Sequence, residues 1–399
     1  MQIAQNSFII AVMTNKICGI VAEYNPFHNG HAYHLAQSRL VSGAGFVVVV
    51  LSGNFVQRGE PAITHKFSRT RAALLGGADL VLELPVNFAT SSAEGFASGA
   101  VQILAKTGIV TDICFGAETT DLQILKKIAS ALVNETPEFK AFLKQGLAKG
   151  FSFPRARAAA LEQTFDNIIS YIDKIVNSPN NILGIEYLKA LKRLGSDIIP
   201  HAIARKGAQH HDTTPSGIYA SATSLRREIL ADNMKILENL MPRDSFELLL
   251  KERGEGAINQ MDNFSGFFHY LLASGQADTN PQLRRAAQNH YNLLDVINAA
   301  KAKNITHTAL KRAALRTVLN LHDYDAPQYI RVLGFKRDSA HLLREMEKKA
   351  DLPIITNLKN APPSDMLAQE INSTQLYWLA LKHLGVAERR EMSAPMVIV

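Results

Sequence analysis

The chain has 399 residues but only two cysteines, Cys18 and Cys114, and one tryptophan. Each cysteine sits inside an apolar run, which excludes a disulfide scaffold, and neither has the partner spacing of a zinc site. Buried thiols suit a reducing compartment, so a cytoplasmic location is expected. No apolar run reaches the roughly 18–20 residues of a membrane span. Ser7–Met13 is too short and lacks the basic leader of a signal peptide. It reads as an extension before the first strand, with Met13 an alternative start. No internal repeat is visible. Charge of one sign is also scarce over most of the chain. The net charge is +7, and Pro281–Lys349 alone holds thirteen Lys/Arg against six Asp/Glu. That local surplus equals the whole, so the remainder is balanced and only this block suggests a polyanion partner. A solvated helical surface is the plainer alternative.

With 47% hydrophobic and 20% charged residues, the composition is that of a soluble, well-packed protein of two or three domains. The first part alternates apolar runs with helical patterns. Ile17–Val21, Gly45–Leu51, Leu80–Leu84 and Asp112–Phe115 read as strands. Ala32–Leu40, Phe67–Gly76 and Ala93–Thr107 read as helices between them. This is the α/β pattern of a parallel sheet covered on both faces. Further helices are expected over Asp121–Leu147, Arg155–Ile175 and Asn181–Leu194, the last entered by a turn at Ser178-Pro179-Asn180-Asn181. Asp197–Ala204 would be a fifth strand, its proline favouring an edge. Gly207–Gly217 is a polar loop. Beyond Phe246 strands become scarce, with helices expected at Leu293–Ala302, Thr308–Asn320, Ser339–Lys349 and Ser364–Leu384. The division expected is an α/β unit over residues 15–235, with a helical insertion near 121–175, and a mainly α-helical basic unit over 240–399.

His28-Asn29-Gly30-His31 follows the first strand and the turn Glu23-Tyr24-Asn25-Pro26-Phe27, and opens a helix. A helix N-terminus offers unpaired N–H groups and a positive dipole end to a phosphate. Gly30 removes a side chain that would block close approach. The two imidazoles can donate to charge developing on an α-phosphate. Their spacing is not the i, i+4 of a zinc pair on a helix, and no metal ligand set is expected. His34, one turn on, either extends the site or is a half-buried helix histidine. The ends of three strands, at His28–His31, Ser52-Gly53-Asn54 and Phe115-Gly116-Ala117-Glu118, could converge on one cleft. Lys66, Arg69 and Arg71 read as a solvated face. Glu23 could hold magnesium or form a structural ion pair.

The HxGH core and the later Ser221-Ala222-Thr223-Ser224-Leu225-Arg226 resemble the HIGH-type and ISSTxxR-type motifs of the nucleotidyltransferase superfamily. In the second motif, hydroxyls at a helix start and an arginine fit triphosphate oxygens; alone it would be ordinary capping. VAEYNPFHNGHAYH (Val21–His34), SGNFVQRGEPA (Ser52–Ala62), GGADLVLELP (Gly76–Pro85), FGAE (Phe115–Glu118), SPNNILGIEY (Ser178–Tyr187) and YIRVLGF (Tyr329–Phe335) together resemble the bacterial tRNA(Met) cytidine acetate ligases. The resemblance leaves out Met1–Thr14.

It implies a Rossmann-like nucleotidyltransferase domain and a two-step reaction. ATP and acetate would give acetyl-adenylate, with magnesium accompanying the triphosphate. The acetyl group would then pass to N4 of the wobble cytidine of elongator tRNA(Met). His28 and His31 would be catalytic. Val21, Ala22, Glu23, Tyr24, Asn25, Pro26, Phe27, His28, Asn29, Gly30, His31, Ala32, Tyr33 and His34 would line the ATP site. Gly116, Arg205, Ser221, Thr223 and Arg226 would join them, with Asn180 and Asn181, of which one caps the helix and the other reaches ligand. Lys301, Lys303, Lys311, Arg312, Arg316, Arg331, Lys336 and Arg337 would meet RNA phosphates. Two other readings remain: an adenylyltransferase releasing a small dinucleotide, which leaves the basic helical part without a purpose, and a non-catalytic RNA-binding relative, which leaves both motifs without one.

Overall fold

The computed structural model describes residues 15–165, 171–206, 218–276, 278–302, 305–381 and 391–399. The expected loop at 207–217, Lys303 and the N-terminal extension lie outside the described residues. The first half runs β1 (Ile17–Ala22), α1 (Asn29–Ser42), β2 (Phe46–Ser52), β3 (Phe55–Val56), β4 (Glu60–Pro61), α2 (Lys66–Leu75), β5 (Leu80–Leu84), α3 (Val86–Ala89), α4 (Ala93–Lys106) and β6 (Asp112–Ala117). The helices α5 (Leu122–Val133), α6 (Pro137–Ala148), α7 (Phe153–Thr164), α8 (Ile172–Asn177) and α9 (Pro179–Leu194) lead to β7 (Ile199–Ala204). Then come α10 (Ala222–Leu230), α11 (Met234–Leu237), α12 (Arg243–Gly254), α13 (Ser265–Ala273), α14 (Pro281–Ala286), α15 (Leu293–Ala299) and α16 (His307–Leu319). The chain closes with β8 (Ile330–Phe335), α17 (His341–Lys349), β9 (Ile354–Ile355), α18 (Asp365–Leu379) and β10 (Val397–Ile398).

Among the described residues the main sheet has the order β10-β8-β5-β2-β1-β6-β7, with β9 also on β8. The five strands from β5 to β7 are parallel. The β-branched run Val47–Val50 suits a strand with neighbours on both edges and helices on both faces, and all four valines are buried. Leu35 of α1 and Ala72–Leu74 of α2 cover Cys18, Ile20, Val47 and Val49 on one face. Phe96, Val101 and Leu104 of α4, with Leu188 and Leu191 of α9, cover Val48, Val50, Leu80 and Leu82 on the other. Pro200 lies in edge strand β7, where its missing N–H breaks no ladder. The chain leaves β1 for β2 on one side and returns to β6 on the other. A crevice opens beyond the carboxyl end of β1, where ligands of such sheets bind.

The last third, expected to be mainly α-helical, also supplies three strands to the main sheet. Tyr329–Phe335 enters the main sheet: β8 pairs antiparallel with β5, and β9 and β10 pair with β8. The helices α13–α16 keep a separate core of Phe264, Phe268, Leu293, Leu310, Leu315 and Val318, which also takes in Phe55 and Tyr377. A division near residue 240 therefore separates the helical core but cuts the sheet.

Lys66 and Arg69 correct a second expectation, because neither is on a solvated face. Lys66 is fully buried, its Nζ 2.6 Å from Glu83 Oε1, 3.2 Å from Glu370 Oε1 and paired with Glu391. Arg331 of β8 is equally enclosed, 2.9 Å from Glu83 Oε2 and paired with Glu391. Burial disfavours every one of these ions, so the network stands only because each cation meets carboxylates directly. It ties β8 and α18 to the sheet through α2 and β5. Arg69 donates to the carbonyls of Glu23 (2.6 Å), Ser52 (3.0 Å), Gly53 and Thr64 (3.0 Å), gathering the carboxyl ends of β1 and β2.

Burial and the neighbouring Glu83 carboxylate push Glu370 up to about 8, against the pull of Lys66. The folded chain thus keeps a proton that the unfolded chain releases above about 4.5. This term costs stability as pH rises from about 4.5 towards 8. Glu370→Gln preserves a neutral side chain and an oxygen for Val86 N, which Glu370 Oε2 accepts at 2.7 Å. Its unfolding free energy relative to the parent is expected to rise with pH across that window. Denaturant titrations giving a pH-independent difference would refute the assignment.

Candidate active site

A cavity of about 440 Å³ lies at the carboxyl ends of β1, β6 and β7. Its walls include Val21, Ala22, Glu23, Tyr24, His28, Gly30, His31, Tyr33 and His34 from the β1–α1 segment. Gly116 follows on β6, Asn180 on α9, Arg205 after β7, and Ser221, Thr223 and Arg226 on α10. Distant stretches of sequence meet here because β1, β6 and β7 end, and α1, α9 and α10 begin, at the carboxyl end of the sheet.

His28 and His31 are held by reciprocal capping. His28 is the N-cap of α1, with extended backbone (φ −138°), and its Nδ1 accepts from Gly30 N at 3.0 Å. His31 Nδ1 accepts from His28 N at 3.3 Å. The rings stack with centroids 3.7 Å apart and planes at 21°. A backbone N–H against each Nδ1 puts the proton of the neutral ring on Nε2. Burial, then the charges of Arg205 and Arg226, lowers His28 to about 3. His34 falls to about 4 by burial and Arg205. Burial, His28, His34 and Arg205 hold His31 well below its ordinary value, against the Pro26 backbone. All three rings are neutral at neutral pH, and those of His28 and His31 carry their proton on Nε2.

The same geometry revises the expectation of free helix N–H groups. Asn29 N donates to Leu240 O at 3.1 Å, Gly30 N to His28 Nδ1, and His31 N to His28 O at 2.8 Å. The backbone donors are engaged, so what α1 presents to an anion is its dipole and the imidazole Nε2–H groups. Gly30 earns its place differently as well. A Cβ there would fall 2.9 Å from His28 Cε1, so the glycine makes room for the imidazole cap. At Gly116 a Cβ would meet only Arg205 Cγ, at 3.6 Å.

Several expected residues stand behind the wall. Asn29 Nδ2 binds the carbonyls of Ile218 (3.2 Å) and Asn239 (2.9 Å). Asn25 Oδ1 accepts from Ile63 N at 2.8 Å, and its carbonyl accepts from Arg226 Nη1 at 2.8 Å. Phe27 O accepts from Ser245 Oγ, and Pro26 and Ala32 do not line the cavity. Of the asparagine pair, neither side chain caps α9. Asn181 Oδ1 accepts from Glu118 N and Thr119 N, both at 3.0 Å, and is buried. The Glu118 carboxylate accepts from Asn181 N (2.9 Å) and Asn180 Nδ2 (2.5 Å), serving the helix start in their place. Asn180 alone of the two reaches the cavity. Of the three strand ends, Ser52-Gly53-Asn54 does not contribute. Its carbonyls at Ser52 and Gly53 are held by Arg69, and Asn54 bonds Thr374.

Sequence reading overlooked Gln57, Arg58, Phe96, Leu183, Tyr187, Lys206 and Tyr219, which also line the wall. Asn180, Leu183 and Tyr187 were within reach, since i, i+3, i+7 is one helix face. Arg58 lies at the β3–β4 turn, a hairpin too short to read locally. Glu23 Oε1 accepts from Gln57 N at 2.9 Å. Among the described residues no group of three or more His, Cys, Asp or Glu gathers as a metal ligand set.

The basic block is dispersed. Arg331 is buried in β8 among carboxylates and is not placed to meet an RNA phosphate. Lys336 and Arg337 follow the carboxyl end of β8, which is antiparallel to β5, so they lie at the opposite end of the sheet from the cavity. Arg316 donates to Asn87 O (3.0 Å) and Asp323 (2.6 Å), Arg312 to Gln57 O (3.5 Å), and Lys311 pairs with Glu60. Lys301 is exposed.

A sequence model of the HIGH Nucleotidyl Transferase family matches residues 15–392. The parallel sheet and the histidine-capped helix at its carboxyl edge make the protein a nucleotidyltransferase of the HIGH class. The tRNA(Met) cytidine acetate ligase of Caldanaerobacter subterraneus subsp. tengcongensis is 41% identical over 391 residues, covering 93% of this chain and 96% of that protein. The Acetivibrio thermocellus protein of the same name is 40% identical over 402 residues, covering 92% and 96%. The chain belongs to this family. Crystal structures of Thermotoga maritima TmcAL superpose with TM-scores of 0.88 (apo, 34% identical) and 0.86 (bound with alpha-thio ATP, 33% identical), each covering 96% of this chain and 99% of the other.

The neutral histidines give a direct test. His28 and His34, lowered from 6.5 to about 3 and about 4, are expected to show neutral-ring 15N signals that do not titrate between pH 5 and 8 in long-range 1H–15N spectra, with the His28 proton on Nε2. Below pH 6.5 the unfolded chain binds protons that the folded one refuses, so stability contributed by these rings is lost as pH falls from there. A midpoint near 6.5 for either ring would overturn the assignment.

Proposed function

We propose that this chain is a cytoplasmic ATP-dependent ligase that activates acetate as acetyl-adenylate and acetylates N4 of the wobble cytidine of elongator tRNA(Met). The observation that carries the reading is the pair of stacked, neutral imidazoles in a cavity also lined by Arg58, Arg205 and Arg226. Relatives named for this reaction match over nearly the whole chain. The apolar side of the cavity, with Phe96, Leu183 and Tyr187, suits a base; the side with the histidines, arginines, Ser221 and Thr223 suits phosphates.

In the first step an acetate oxygen attacks the α-phosphorus, the bond to the β-phosphate oxygen breaks, and pyrophosphate leaves. No protein nucleophile is needed. His28 and His31 donate Nε2–H to the α-phosphate oxygens as charge builds there, and the arginines hold the departing phosphates. In the second step the cytidine N4 attacks the acetyl carbonyl, the carbonyl carbon–phosphate oxygen bond breaks, and AMP leaves as N4 gives up a proton. Magnesium is assigned to the triphosphate as substrate, and no step here runs through it. The helical core around α13–α16 is the part assigned to RNA, with exposed Lys301 proposed among its contacts.

Labelled acetate, ATP and total tRNA test the reading together. Acetate-dependent pyrophosphate release and label in tRNA as N4-acetylcytidine are expected. Replacing His28 or His31 by alanine is expected to slow acetate-dependent pyrophosphate release by about 10²–10³-fold, the typical loss of one preorganised donor. The affinity for tRNA should stay within about threefold of the parent. Pyrophosphate release driven by a phosphorylated small acceptor instead of acetate would reject the reading.

A further inference from the structure

Helix α16 belongs to the helical core, yet it packs against the back of the cavity wall. Gln57 and Arg58, in the turn of the β3–β4 hairpin, line the cavity, and the next residue, Gly59, has φ +73°. A Cβ on Gly59 would lie 2.4 Å from Arg312 N and 2.7 Å from Lys311 C, so the hairpin backbone touches the helix backbone. Glu60 then sits between cations from both sides. Its Oε1 pairs with Lys311 Nζ, and its Oε2 lies 3.4 Å from Arg226 Nη2. The side chains of Lys311, Glu60 and Arg226 are only 15%, 21% and 13% exposed. Arg226 is otherwise steered by Asn25 O at 2.8 Å and Thr223 Oγ1 at 3.5 Å.

We propose that Lys311 is a positioning residue of the nucleotide site, neutralising Glu60 so that Arg226 remains directed at the triphosphate. The inference rests on the ATP-binding reading above. Burial alone would raise Glu60, but Arg226, Lys311 and Arg58 hold its carboxyl below the usual carboxylate range, so it carries a full charge. An uncompensated carboxylate one guanidinium away from a triphosphate repels the ligand and competes for the donors of Arg226. With Lys311 on Oε1, the hold of Glu60 on Arg226 is one long contact. Lys311 is therefore spent inside the protein and does not serve as a surface contact for RNA phosphate.

The test is ATP binding by calorimetry, without acetate or tRNA, on the full chain and four variants. Lys311→Met is expected to weaken ATP about tenfold, within the usual range for coupling between charged sites. Glu60→Gln should not weaken it, and Lys311→Met combined with Glu60→Gln should return to within about threefold of the parent. Lys311→Arg keeps the charge and should bind within the same limit, showing that the fold tolerates change at this position. Unchanged ATP affinity in Lys311→Met would overturn the inference alone. A double variant as weak as Lys311→Met would also overturn it, because loss of packing is not repaired by removing a charge elsewhere. A parent chain that does not bind ATP would remove the proposed function as well.

Discussion

The imidazole of His28, folded back onto the first turn of α1, is the constraint on which the cavity depends. It accepts Gly30 N, holds its own backbone extended, and presents a flat face to His31. A helix start is usually capped by Ser, Thr, Asp or Asn, whose short side chains accept one bond and end there. Histidine does the same with Nδ1 and still has a second nitrogen two bonds away in the ring. The cap and the donor are one side chain, so the orientation of Nε2 is fixed by backbone and not by a flexible rotamer. His31, at N3, closes the arrangement from the other side, in the place that Glu or Gln takes in the usual reciprocal cap. Such pre-positioning is what electrostatic stabilisation of a developing charge requires, since a donor that must first reorient gives back much of its benefit.

Beneath this turn lies a second constraint, the anchoring of strand ends by buried cations. Arg69 takes carbonyls from Glu23, Ser52, Gly53 and Thr64, at and just beyond the carboxyl ends of β1 and β2. Lys66, one turn earlier on α2, gathers carboxylates from β5, α18 and the C-terminal segment at Glu391. Two of the three cations of helix α2, Lys66 and Arg69, therefore point inward, while Arg71 is exposed. The inward pair connects the loop that carries Glu23 and Tyr24 to elements more than 300 positions away, as in the Lys66–Glu370 contact. The C-terminal residues are thereby part of the frame around the cavity, and do not form an appendage.

What the sequence made legible follows the range of the interactions involved. Runs such as Val47–Val50 declare a strand locally, because β-branched residues have few other stable settings. His28-Asn29-Gly30-His31 is legible because cap, glycine and donor fall within four residues. The strand Ile330–Phe335 was not, since its apolar run follows a long helical stretch and nothing nearby indicates that it inserts beside β5. Lys66, Arg69 and Arg331 were misplaced for a related reason. A lysine or arginine near a helix or strand end is normally solvated, and only partners far along the chain reverse that rule. Arg58 and Tyr187 lay within strings singled out for resemblance, yet only the fold shows that they share a wall with His28.

Electrostatics explains why the histidines must be neutral for the site to work as a whole. Arg205 depresses the proton affinity of both rings, and Arg226 that of His28, in company with burial. Were either ring an imidazolium, it would repel these arginines and bind triphosphate tightly in the ground state, where tight binding does not speed the reaction. In the proposed reaction a neutral Nε2–H would contribute little until charge gathers on the phosphate it would face. The fixed cations would serve the phosphates present throughout, and the imidazoles would respond to the charge that appears during attack. Glu60 fits the same division. With its charge balanced by Lys311, that carboxylate would leave Arg226 to be directed by Asn25 O and Thr223 Oγ1, so the cavity would attract an anion without losing the arginine's donors to Glu60.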